Sequence, residues 1–383
     1  MTWSQLRLGF LANGTKAAAW VLFGTTGLSG VSAFATAKAN RVFRCGRKVN
    51  SLHLSRRALN GAATGRCISG RLARVIAAMA LSGIVAAHGE TNVASRAGSN
   101  SAKFAGAFVN WGPVGRERSL EIWEKWLKQA PSSVLGVDFY AQSTWEDFSK
   151  LSWVPGIWRN LNPQRNVVWS VPLTVKGTAL VDVADGMHDA EFAAAARAIS
   201  EAQPMAIIRL GWEMNLVSMP WFAKGQEADY IRAFRRVVEI FRRYSPGFKY
   251  DWCPGWGPQD NAADITYPGD DVVDYIGLDV YDFKSEGSAE ERWNSFYVKA
   301  PFGLEWHRDF AAQHGKPMSY PEWGVGNFGD NPYFIQAMHD WFVKYEKNIA
   351  YAAYFDSDGL WPTQIDNNQF PRSQKLFRKL FGR

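Results

Sequence analysis

Cysteine is scarce in this chain: Cys45, Cys67 and Cys253 are the three among 383 residues. Three cysteines cannot build a disulfide framework, and only Cys253 lies beyond residue 100. A folded body without cross-links must rely on its core. Histidine is nearly as sparse. His53, His88, His188, His307, His314 and His339 are scattered, with no CxxC or HxxxH spacing, so neither a protein-built metal site nor another cofactor is expected. A glycine-rich phosphate loop is missing as well, because Asn110-Trp111-Gly112-Pro113 after the first strand does not have the GxGxxG pattern. Acidic residues are almost absent from the first hundred positions, where Glu90 stands alone against 13 Lys and Arg, a net of +12. Residues 101–383 hold 30 basic and 35 acidic residues, a net of −5. The whole-chain charge of +7 therefore belongs to the N-terminal region, and nucleic acid, the usual partner of a basic protein, is not expected. Arg235, Arg236, Arg242 and Arg243 fall on one helical stretch and read as a solvated face.

The N-terminal hundred residues carry two apolar segments. The first, residues 17–37, is diluted by Gly and Thr and ends in Ala35-Thr36-Ala37. The second is cleaner: Arg71 and Arg74 precede an apolar run at 75–87 that ends in Val85-Ala86-Ala87, the layout of a secretory signal. That run falls short of the roughly 20 residues needed to span a bilayer. Residues 1–100 are expected to be signal, processed or disordered, with no stable membrane span in the mature chain and a secreted or periplasmic destination.

Beyond residue 100 short β-rich runs alternate with longer helical patterns. Strands are predicted at 104–110, 134–139, 166–172, 206–213, 248–253, 273–280, 316–322 and 349–355. Several are apolar throughout, as parallel strands covered on both faces are. Helices are predicted at 119–127 with Ser119 as N-cap, 189–202 with Asp189 as cap, 226–244, 304–314, 331–344 and 374–380. Eight strands alternating with helices predict a single (β/α)8 barrel over 101–383. A doubly wound open sheet is the alternative.

Such barrels place their chemistry at the C-terminal ends of the strands. Polar and aromatic residues at those ends are Asn110, Trp111, Asp138, Tyr140, Arg209, Glu213, Asn215, Trp252, Asp279, Tyr281, Asp282, Glu322, Trp323, Asp356 and Asp358. Two Glu stand out, Glu213 ending the fourth strand and Glu322 ending the seventh, each in an aromatic setting. A retaining glycosidase needs two carboxyls about 5–5.5 Å apart, one protonating the leaving oxygen and one attacking the anomeric carbon. The acid must stay neutral at working pH, through burial and through the charge of its partner. A lone strand-end Glu more often caps a helix or joins a salt bridge.

The segments Arg209-Leu210-Gly211-Trp212-Glu213-Met214-Asn215, YPGDDVVDYIGLDVYD at 267–282 and KPMSYPEWGV at 316–325 resemble glycoside hydrolase family 26, best known for β-mannanases. The resemblance covers roughly residues 104–370. It implies a retaining barrel with Glu213 as acid/base, Glu322 as nucleophile, and Tyr281 hydrogen-bonded to the nucleophile. In mannanases of the family the residue before the acid/base is usually His; here it is Trp212, so substrate contacts near the cleavage point are expected to differ. Arg209 and Asn215 either hold sugar hydroxyls or serve an interior ion pair and a turn. Trp252, Trp256, Trp323 and Trp361 are stacking platforms or packing residues, and 16 of the 18 Trp follow residue 100. Asp138, Trp212 and Phe355 complete the expected substrate-binding set. The expected function is endo-cleavage of a β-linked, mannan-like polysaccharide by a monomer. The alternatives are a β-1,3/1,4-glucanase, an exopolysaccharide-processing glycosidase and a non-catalytic carbohydrate-binding barrel.

Overall fold

The structure, a computed structural model, describes residues 101–109, 119–283, 286–357 and 361–383. The expected export signal lies outside these residues, as do Asn110, Trp111 and Asp358. Nine strands form one sheet: β1 Gly106–Phe108, β2 Gly136–Phe139, β3 Val167–Val171, β4 Ile207–Leu210, β5 Lys249–Trp252, β6 Tyr275–Gly277, β7 Val280–Asp282, β8 Met318–Val325 and β9 Ile349–Phe355. Every pairing is parallel, in the order β6-β5-β4-β3-β2-β1-β9-β8-β7. An added β6–β8 pairing closes the ring. The result is the expected eight-position (β/α)8 barrel, and the open-sheet alternative falls.

The predicted sixth strand is divided into β6 and β7. Its backbone breaks at Leu278 and Asp279, where Asp279 exchanges hydrogen bonds with the β5 extension: its N–H donates to Pro254 O at 3.1 Å, and its carbonyl accepts from Trp256 N at 2.9 Å. β4 also ends earlier than predicted, at Leu210, so Glu213 belongs to the following turn.

Side chains alternate between the two faces of each strand. A small interior cluster contains Val137, Val168, Ile207, Tyr351 and Ala353. Also inside, the Ser319 and Tyr351 hydroxyls donate to Asp251 Oδ2 at 2.5 and 2.6 Å. The larger core lies between strands and helices and holds most of the Trp. Ser119 accepts from Ile122 N as an N-cap should, opening helix Leu120–Leu127. Asp189, in contrast, is the first residue of helix Asp189–Ala202 and not its cap. Its carboxylate instead takes Arg236 at 2.7 and 2.8 Å, from helix Glu227–Arg242. Helices Trp145–Lys150 and Val154–Leu161 between β2 and β3 had no strong sequence signal. Among the described residues no helix is long and apolar enough to cross a membrane.

Candidate active site

Two local irregularities aim the two glutamates. After β4 the chain turns through Gly211 at φ +46° and Glu213 at φ +51°. A non-glycine residue in the left-handed region is strained. Its cost is offset by a hydrogen bond from Glu213 N to Cys253 O at 2.7 Å. On β8 the register against β9 shifts between Tyr320 and Trp323, the mark of a bulge, with Pro321 inside it. Tyr320 and Trp323 consequently both face the helices, where each packs on Phe342. Glu322 between them turns into the barrel mouth. Its N–H, freed from the ladder, donates to Asp279 Oδ1 at 3.1 Å.

Glu322 is 7% exposed, and both carboxylate oxygens are occupied. Arg209 Nη1 donates to Oε1 at 2.7 Å, and the Tyr281 hydroxyl donates to Oε2 at 2.6 Å. Arg209 itself is fully buried on β4. It also contacts Asp279 Oδ2 and the Ser170 hydroxyl, and its guanidinium lies 5.1 Å from the Trp212 ring centroid. One cation therefore links two carboxylates, and a neighbouring Cys253 thiol donates to Asp279 Oδ1 at 3.2 Å. Burial, then the charge of Glu322, pushes the Tyr281 phenol well up, so it remains a protonated donor.

Glu213 has the opposite setting. It is half-buried, and among the described residues its carboxyl has no ion pair or hydrogen bond of its own. Burial first, and then the negative charge of Glu322, pushes its pKa up from 4.5 to about 8, with Arg209 opposing. The site thus pairs a clamped, charge-compensated carboxylate with a carboxyl whose pKa is pushed up. Around them lie aromatic rings that stay partly exposed. Phe139 and Phe355 both pack on Phe108, at 4.7 and 4.9 Å, and Phe355 meets Tyr281 at 6.0 Å. Trp361 stands edge-on to Phe283 at 4.5 Å and to Tyr281 at 5.7 Å.

Of the residues predicted for substrate, Arg209, Tyr281 and Phe355 converge on the two glutamates. The others do not face this mouth. Trp252 and Trp323 are fully buried on the outward side of their strands. Trp252 packs on Tyr267 and Phe310, and Trp323 on Tyr354 and Phe377. Asp138 also points outward: its Oδ2 accepts Trp158 Nε1 at 2.9 Å, and burial lifts its pKa to about 6. Trp212 is 1% exposed, and its ring packs against Phe139 and Trp221. The Asn215 amide is spent on Gly255, donating to its carbonyl at 2.8 Å and accepting its N–H at 2.9 Å. That exchange ties the turn carrying Glu213 to the loop after β5. Asp282 is held by Arg292, Tyr297 and Asn331, and Asp356 by Ile365 N. Ser170 and Phe139 were missed. Period-two alternation along β2 would have found Phe139, since it shares the inward face with Val137. Among the described residues, no group of three or more His, Cys, Asp or Glu is arranged to hold a metal ion.

No protein-family model matches the chain. In fold it is similar to the catalytic domain of a family 26 endo-β-1,4-mannanase from Bacillus sp. JAMB-750. The TM-score is 0.52 at 18% identity, covering 73% of this chain and 86% of that one. A Cellulomonas fimi endo-β-1,4-mannanase gives 0.52 at 19% identity, over 73% of this chain and 72% of that one. In sequence, 218 residues are 27% identical to endoglucanase H of Acetivibrio thermocellus, 53% of this chain and 23% of that protein. Another 30% identity over 124 residues links it to mannan endo-1,4-β-mannosidase of Bifidobacterium adolescentis, 32% of this chain and 11% of that protein. The chain spans less than a quarter of the length of these curated relatives. The expected resemblance to family 26 mannanases is thus found in fold, and the sequence relatives are a mannan endo-1,4-β-mannosidase and an endoglucanase.

Proposed function

We propose that this chain is a retaining glycoside hydrolase that cleaves a β-linked, mannan-like polysaccharide internally, with Glu322 as nucleophile and Glu213 as acid/base. Residues 101–383 form its catalytic domain. The observation that carries the reading is the unequal environment of the two glutamates. A Glu322 oxygen attacks the anomeric carbon while Arg209 and Tyr281 keep the carboxylate aimed. As the bond to the leaving oxygen breaks, Glu213 supplies the proton, which its raised pKa keeps available at neutral pH. The glycosyl ester that forms no longer carries the Glu322 charge. One of the two causes holding the Glu213 proton then vanishes, and Glu213 becomes the base that activates water. The same change of charge drives the switch from acid to base.

The aromatic mouth suits flat sugar faces, whose C–H bonds pack on ring faces. Trp212 is buried against Phe139 and Trp221, so the residue before Glu213 contributes packing beneath the acid. A β-glucan is the second reading, favoured by the longer stretch of likeness to an endoglucanase.

The test is chemical. Glu322→Ala should abolish hydrolysis of β-mannan, mixed-linkage glucan or whichever polymer the native protein turns over. Azide should then restore turnover and release a glycosyl azide of inverted anomeric configuration. Near-native activity in Glu322→Ala would overturn the mechanism. Turnover of no polymer by the native protein would favour a carbohydrate-binding barrel.

A further inference from the structure

The loop after β5 lies directly against Glu213. Gly255 exchanges both amide hydrogen bonds with Asn215, two residues beyond Glu213. A Cβ at Gly255 would sit 3.5 Å from Glu213 Oε1 and would collide with Leu216 at 2.6 Å, so the backbone itself walls the acid. The next residue, Trp256, is fixed at three points. Its N–H donates to Asp279 O at 2.9 Å, its indole N–H donates to Tyr297 O at 3.2 Å, and its ring packs on Phe296 at 4.3 Å. Yet Trp256 is only partly buried, unlike Trp212, Trp252 and Trp323. One side of the indole packs on the core through Phe296 and Tyr297, and the rest stays open, one residue along from the Gly255 backbone that walls Glu213.

Retaining chemistry makes the two sides of the site unequal. The sugar that becomes bonded to the enzyme lies over Glu322, and the departing sugar lies on the side of the proton donor. The aromatic wall of Tyr281, Phe283 and Trp361 is on the Glu322 side. We propose that Trp256 is the platform for the departing sugar, the first unit beyond the scissile bond. This rests on the roles given above to Glu213 and Glu322. Because that sugar leaves and an acceptor sugar enters by the same route, Trp256 also sets how often the glycosyl-enzyme is intercepted by a carbohydrate and not by water.

The test compares leaving groups with Trp256→Ala and Trp256→Phe in the full chain. Fluoride is too small to use a sugar platform, whereas an oligosaccharide must. For Trp256→Ala, kcat/KM on mannopentaose should fall roughly tenfold to a hundredfold, the scale of losing a buried aromatic anchor. On β-mannotriosyl fluoride it should fall far less, and the share of transglycosylation products with added mannobiose should drop. Trp256→Phe should recover part of both. The corresponding gluco-oligosaccharides replace these if the polymer panel selects glucan. Equal loss on the fluoride and the oligosaccharide, with unchanged transglycosylation, would overturn the proposal and assign Trp256 to support of Glu213. The companion result for Glu322→Ala stays separate: activity there refutes the mechanism, whatever Trp256 does.

Discussion

A glutamate whose pKa is pushed up leaves a signature in stability that needs no substrate, and Glu213 is such a group. Its pKa is raised by burial and by Glu322 to about 8. In the unfolded chain the group returns to about 4.5. Below pH 4.5 both states hold the proton and nothing is lost. Between 4.5 and 8 the unfolded state releases it while the folded state keeps it, so stability falls as pH rises. Above about 8 both are ionised and the loss is complete. At 1.36 kcal/mol per pH unit the interval corresponds to up to about 5 kcal/mol. Glu213→Gln keeps the shape and removes the titration. Chemical unfolding of both proteins between pH 4 and 9 should show the variant gaining on the native chain by about 1.4 kcal/mol per pH unit between roughly pH 5 and 8, then levelling. Asp138 and Asp251, also raised to about 6, titrate equally in both proteins and cancel from the difference. In the native protein, kcat/KM for the proposed hydrolysis should decline on the alkaline side with a midpoint near the same pH. A stability difference that does not change with pH would show that Glu213 is ionised in the folded protein and would remove it as the acid.

Two further substitutions separate aiming from folding. Tyr281→Phe removes one hydrogen bond to a charged group, worth about 1.5–3 kcal/mol, so kcat should drop about tenfold to a hundredfold with KM little changed; a loss confined to KM would contradict the aiming role. Arg209→Met leaves Asp279 and Glu322 buried without their cation, which should cost about 3–5 kcal/mol of stability, read from urea unfolding, and a variant as stable as the native chain would show that those carboxyls are neutral.

The barrel was legible because its signals are local. Apolar runs of strand length alternate with amphipathic helices, and that alternation permits few parallel topologies. Glu213 and Glu322 could be singled out as candidates because barrel geometry reserves strand ends for chemistry, and because the segments around them resemble a known family. Helices Trp145–Lys150 and Val154–Leu161 were not legible: a 3-10 turn at Leu151–Trp153 parts them, and Pro155 and Gly156 at the start of the second read as breakers.

The direction in which each strand-end residue faces was decided by tertiary structure alone. Trp323 sits next to Glu322 in sequence and Trp212 next to Glu213, yet neither ring enters the mouth. The bulge at Tyr320–Trp323 reverses the parity that simple alternation assigns, and it exists because Asp279, 43 residues away in the chain, accepts the N–H it frees. The raised pKa of Glu213 has the same origin. An isolated glutamate is an ordinary acid, and only closure of the barrel brings Glu322 and low-dielectric surroundings to it. Residue types and order were enough to determine the scaffold and single out the two glutamates; which carboxyl has its pKa raised and which is clamped depends on contacts between distant strands.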